Sequence, residues 1–230
     1  MLSIGITRTS APASPLSTIR QRAGKVANLW IYESPKNRKR LTVAGDVVFM
    51  HMILLEGDPN VQNYSFVGDP FCLQGRAPRE EVPGYVDVTQ LNGEHTWICV
   101  KRSSIAGTGE RKENVVRNLV KESASEAGAA YAEYSELELR GRELEFENWL
   151  ILCGCINRAK DLPDYVELSR YLRLVRANSG IAVRTLLEEK DCDPAVMLAV
   201  IARSLQSGTA VTELRKAPFC LETVIQGRAQ

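Results

Sequence analysis

The chain has 230 residues, 44% of them hydrophobic and 25% charged, with a formal net charge of +1. That is enough apolar material for one large domain or two small ones, and no run of roughly 18 apolar residues offers a membrane span. The N-terminus, MLSIGITRTSAPASPLSTIR, lacks the basic start and long apolar middle of a secretory signal, so a cytoplasmic location is expected.

Charge is unevenly spread. Residues 1–40 carry eight Lys/Arg, namely Arg8, Arg20, Arg22, Lys25, Lys36, Arg38, Lys39 and Arg40, against the single acid Glu33. Such an arm is either an electrostatic footprint for phosphate backbones or a solvated tail. Six cysteines, at 72, 99, 153, 155, 192 and 220, sit mostly in apolar runs and read as buried free thiols of a reducing compartment. With only His51 and His95 and no C-x-x-C, few zinc ligands are available. His51, on an apolar helix, reads as a core or rim histidine.

In chain order, residues 1–20 read as loosely ordered. TVAGDVVFMHMILLEG, 42–57, predicts a helix closed by Gly57 and Pro59. VQNYSFV, 61–67, predicts a strand, and the turn-rich segment after it leads to YVDVTQLNGEHTWICVK, 85–101, a hairpin. Residues 110–127 predict an amphipathic helix with Gly128 as C-cap, and 129–135 a further strand. A helix covers 136–160, and Pro163 breaks the chain. Then come a helix carrying Tyr165, Leu168, Leu172 and Val175 on one face, a short helix in VRTLLEEK, and a third opened by Asp193 and Pro194. Two short strands around a proline turn end the chain. Three helices with a terminal β ribbon suggest a winged helix-turn-helix.

The hairpin has two registers open to it. A two-residue Asn92-Gly93 turn sends Asp87 and Lys101 to opposite faces. A three-residue Leu91-Asn92-Gly93 loop with a left-handed glycine sets Asp87 opposite Trp97 and lines Asp87, Cys99 and Lys101 on one face.

These residues resemble the PD-(D/E)xK nuclease superfamily, and more narrowly the TnsA family, the endonuclease subunit of heteromeric bacterial transposases. Y85-V86-D87-V88 and I98-C99-V100-K101 match the family's strand–Asp–strand–(Glu/Gln)-x-Lys core. LLEGDPNVQNYSF, YAEYSELELRGRELEFENWLILC and TELRKAPFCLETVIQG resemble its later segments, so the likeness spans about residues 34–228. It implies an α/β fold, a restriction-endonuclease-like mixed sheet with flanking helices, plus a C-terminal winged-helix-like domain. The expected division is a basic arm at 1–33, a nuclease-like domain at 34–160 and a C-terminal domain at 161–230.

The resemblance implies Mg²⁺ held at Asp87, with Lys101 assisting an attack on phosphodiester. It implies double-stranded DNA and a transposase or regulator as partners, no membrane, and a place at the nucleoid. Arg20, Arg22, Lys25, Lys36, Arg38, Lys39 and Arg40 are the expected DNA contacts. The sequence departs from the family at Ala44 and Val48, where glutamates are usual, and at Cys99, where Glu or Gln is usual. Asp46 is the available substitute acid, and Glu56 lies too far along the helix. The two readings are therefore an active TnsA-like endonuclease and a nuclease-fold DNA-binding or regulatory module that does not cut.

Overall fold

A computed structural model describes residues 28–67, 85–100 and 110–228. The first strands, β1 (Leu29–Ser34) and β2 (Lys39–Ala44), form an antiparallel hairpin pairing Glu33 with Arg40 and Ser34 with Lys39. Residues 42–44, expected as the start of a helix, are the end of β2. Leu41 and Val43 alternate with Arg40 and Thr42, and that period of two suits a strand with one buried face. Gly45, at φ 103, turns the chain out of the strand, and α1 (Asp46–Glu56) begins after it.

The central sheet holds β3 (Val61–Val67), β4 (Tyr85–Gln90), β5 (His95–Val100) and β6 (Ala130–Tyr134), in that spatial order. The first two junctions are antiparallel, and β5 to β6 is parallel through the crossover helix α2 (Glu110–Glu126). The sheet is therefore mixed. One face meets α2, where Val120 and Ala124 pack on Tyr85 and Trp97. The other face presents Val86, Val88, Ile98 and Val100 to α1 and to α3 (Glu143–Arg158), which follows a 3-10 turn at Glu136–Leu139.

The C-terminal part comprises α4 (Tyr165–Ala177), β7 (Ile181–Ala182), α5 (Val183–Leu187), α6 (Pro194–Gln206), β8 (Ala210–Val211) and β9 (Val224–Gly227). These three strands form an antiparallel sheet with β9 central. The α6 start is as the sequence predicts: the Asp193 carboxylate accepts from the N–H groups of Ala195 and Val196, with Pro194 in the first turn. Among the described residues the molecule is thus a mixed α/β structure with six α-helices, and none of these is long and apolar enough to cross a membrane.

The hydrophobic core does not stop at Pro163. One cluster runs from Val86 and Ile98 of the sheet, through Met52 and Leu152, to Met197, Ile201 and Ile225. Helix α6 is its hub, and no residue from Val196 to Gln206 is exposed. The apolar stripe of α4 behaves differently. Tyr165, Leu168 and Leu172 face outward, and the helix buries Glu167 and Tyr171 instead. Glu167 earns its burial by accepting from the Asp193 N–H at 2.9 Å, at the head of α6.

Candidate functional site

The β4–β5 hairpin closes through the three-residue loop. Gln90 and Glu94 pair across it, the Gly93 N–H donates to the Gln90 carbonyl, and Gly93 takes φ 84. Asp87 accordingly opposes Trp97, Tyr85 opposes Cys99, and Thr89 opposes His95. Asp87, Trp97, Cys99 and His95 share the face covered in part by α2. Stacking of Tyr85 on Trp97, with ring centroids 4.4 Å apart, fills the middle of that face and buries Cys99. Asp87 remains half-buried at the rim, its Oδ1 lying 3.3 Å from Nδ1 of His95.

Helix α1 packs against the opposite face. Val48 is buried in the main core, Ala44 closes β2, and the two flank the Gly45 break instead of sharing a helical turn. Asp46 is occupied locally: it accepts from Asn28 Nδ2 at 2.9 Å and Trp30 Nε1 at 2.8 Å, which hold its carboxyl below the usual range. The other strand carboxylate on the Asp87 face is Glu133 of β6, which accepts from the Tyr131 hydroxyl and pairs with Arg117 of α2 at 3.3 Å. It stands two strands across from Asp87 and two residues along, about 12 Å at ordinary strand spacing and rise. Magnesium needs its oxygens at about 2.0–2.1 Å, and a thiol such as Cys99 is a soft, poor ligand for it. Among the described residues no group of three or more His, Cys, Asp or Glu could hold a metal ion, and the residues around Asp87 do not fit magnesium. Lys101 lies outside the described residues, as do Arg20, Arg22 and Lys25.

The basic turn between β1 and β2 divides. Arg38, Lys39 and Arg40 are exposed, with Arg38 at φ 50 in the left-handed region at the hairpin tip. Lys36 turns inward, against the expectation that it faces DNA. Its ammonium donates to the carbonyls of Asp58 and of Val61, the latter at 2.6 Å, and burial pulls its pKa down to about 8. Nearby, Lys160 and Arg40 flank Glu33, with Lys160 Nζ 2.6 Å from its carboxylate.

Lys36 belongs to a buried polar cluster that sequence reasoning passed over. Glu56, fully buried at the end of α1, accepts from Ser34 Oγ, the Lys36 N–H at 3.1 Å, the Tyr64 hydroxyl at 2.5 Å and Gln206 Nε2 at 3.0 Å. Tyr32 and Tyr64 share a hydroxyl contact of 3.0 Å. Burial raises the Glu56 pKa, and the hydrogen bonds from Ser34, Tyr64 and the Lys36 N–H, with the Lys36 charge, counter it. The one available signal was a glutamate ending an otherwise apolar run, MHMILLEG. His51 on the same helix is a core residue. It packs on Tyr134 with ring centroids 4.1 Å apart, and neither ring nitrogen has a hydrogen-bond partner among the described residues.

Comparison with known proteins finds no matching family, no similar curated protein and no similar solved structure.

Proposed function

We propose that this chain is a nuclease-fold DNA-binding module of the TnsA type, working beside a partner transposase or regulator, without the metal chemistry of an active endonuclease. Support for the fold comes from the order helix, three antiparallel strands, crossover helix, parallel strand, with Asp87 in the hairpin position that the resemblance implies. Support for the winged-helix reading comes from the order α4–β7–α5–α6–β8–β9 with β9 central.

The observation that carries the silent-site reading is that α1 packs on the sheet face opposite Asp87, so no acid of α1 joins it. DNA contact is assigned to the exposed tip Arg38, Lys39 and Arg40, because the third helix of the winged-helix-like part is spent on the core. A basic tip of this kind gives sequence-independent, salt-dependent phosphate binding.

The test of the silent site is a Mn²⁺ binding isotherm on the full chain and on Asp87→Ala. The proposal expects no saturable site that depends on Asp87. Saturable binding lost in the variant would return the active endonuclease reading, with Asp87 as a ligand.

A further inference from the structure

Helix α3 packs on one side only. Asn148, Trp149, Leu152, Cys153 and Ile156 are buried. The side chains of Leu150 and Ile151 point outward, 38% and 49% exposed, and a Cβ added to Gly154 would meet nothing among the described residues within 4 Å. Glu147 and Arg158 are exposed as well. Spacings of three, four and seven place Glu147, Leu150, Ile151, Gly154 and Arg158 along a single stripe. The stripe is acidic at its N-terminal end, apolar and flat in the middle, and basic at its C-terminal end. Neither Glu147 nor Arg158 forms an ion pair with a described residue of its own chain.

From this pattern we propose that the stripe binds the same stripe of a second copy of this chain, the two α3 helices packing antiparallel about a two-fold axis. The charge order commits the occupant. An isologous contact sets each position against its mirror along the helix. The register that brings Glu147 against Arg158 of the partner subunit also brings Ile151 against Gly154 of the partner subunit. Each isoleucine then fills the space its partner's glycine leaves open, and two ion pairs close the ends. Eleven residues separate Glu147 from Arg158, about 16 Å of helix. A contact of that length, made by one helix from each copy, falls in the small interface class, so the dimer is weak and its population follows concentration.

The experiment is sedimentation velocity on the full chain over a concentration series, with thermal melts to check that each variant folds. The expected result is a reversible monomer–dimer equilibrium. Glu147→Arg alone, or Arg158→Glu alone, sets like charges against each other and raises the dimer dissociation constant about tenfold or more. The double reversal Glu147→Arg/Arg158→Glu restores parental affinity, which a loss of folding would not do. Ile151→Glu abolishes the dimer while the melting temperature holds. The proposal is overturned if the parent stays monomeric throughout. It is equally overturned if the parent dimerises but the folded Ile151→Glu variant dimerises as well, or if the double reversal stays as weak as the singles. None of these outcomes depends on DNA binding, so failure here leaves the DNA-binding reading to its own test.

Discussion

Gln206, the last residue of α6, donates to Glu56, the last residue of α1, at 3.0 Å across 150 residues of chain. With Ser34 and Tyr64 on the same carboxylate, this contact ties the first hairpin, the central sheet and the C-terminal helices together.

Glu56→Ala therefore removes the acceptor of several buried donors at once. Leaving buried neutral donors unpaired costs about 1–3 kcal/mol for each group that finds no other acceptor. Glu56→Gln keeps the shape and part of the acceptor capacity and should cost less. Urea unfolding of both variants checks this, and equal losses would mean that the retained shape and amide oxygen contribute nothing, so that the stabilisation needs the carboxylate itself.

Gly57, just past α1, is needed for space. A Cβ built there would lie 2.0 Å from Nε1 of the buried Trp149, so the indole must shift to admit it. Gly57→Ala should destabilise by about 1–3 kcal/mol, the usual cost of overpacking. A melting temperature equal to the parent's would show that Trp149 moves freely.

His51 sets an acid limit. Burial, helped by the Arg142 charge, depresses its pKa from 6.5 to about 4 in the folded chain. Below pH 6.5 the unfolded chain takes up a proton that the folded chain refuses. The contribution of His51 is therefore fully present above about pH 6.5 and fades as pH falls towards 4. Its full size is on the order of 3 kcal/mol. His51→Phe, which retains a ring against Tyr134, should flatten stability across this window. Parallel pH profiles of variant and parent would place the acid sensitivity elsewhere.

Much of the fold is legible in local sequence because its causes are local. Gly93 selects the hairpin loop, Asp193 and Pro194 open α6, and the β-branched and aromatic residues of VQNYSFV make β3. The β1–β2 hairpin was hidden by its charges: KNRKR reads as a tail until Leu41 and Val43 find α1 to pack on. The inward turn of Lys36 was hidden too, because its acceptors lie 22 and 25 residues away. The α4 stripe of Tyr165, Leu168 and Leu172 has the spacing of a core face, yet Tyr165 is 74% exposed. Periodicity identifies a face, and only the neighbouring elements decide which face is covered. For the candidate site, the sequence carried the choice of Asp87 and the two possible registers. It could not say on which side of the sheet α1 would lie.

Arg38→Ala/Lys39→Ala/Arg40→Ala tests the DNA surface. All three side chains are exposed, so stability should change by less than about 0.5 kcal/mol per site. DNA affinity should fall for every sequence alike, and the slope of log affinity against log salt should shrink by up to about 0.9 per lost phosphate contact. An unchanged slope would move the DNA contact away from the hairpin tip.

The most direct test of the account is duplex DNA binding by the full chain in EDTA, followed by fluorescence anisotropy over a salt series. The account predicts binding without metal, weakening steadily with salt, and unchanged with no strand cut when Mg²⁺ or Mn²⁺ is added. Binding that appears only with the metal, or nicking of the duplex on its addition, would contradict it.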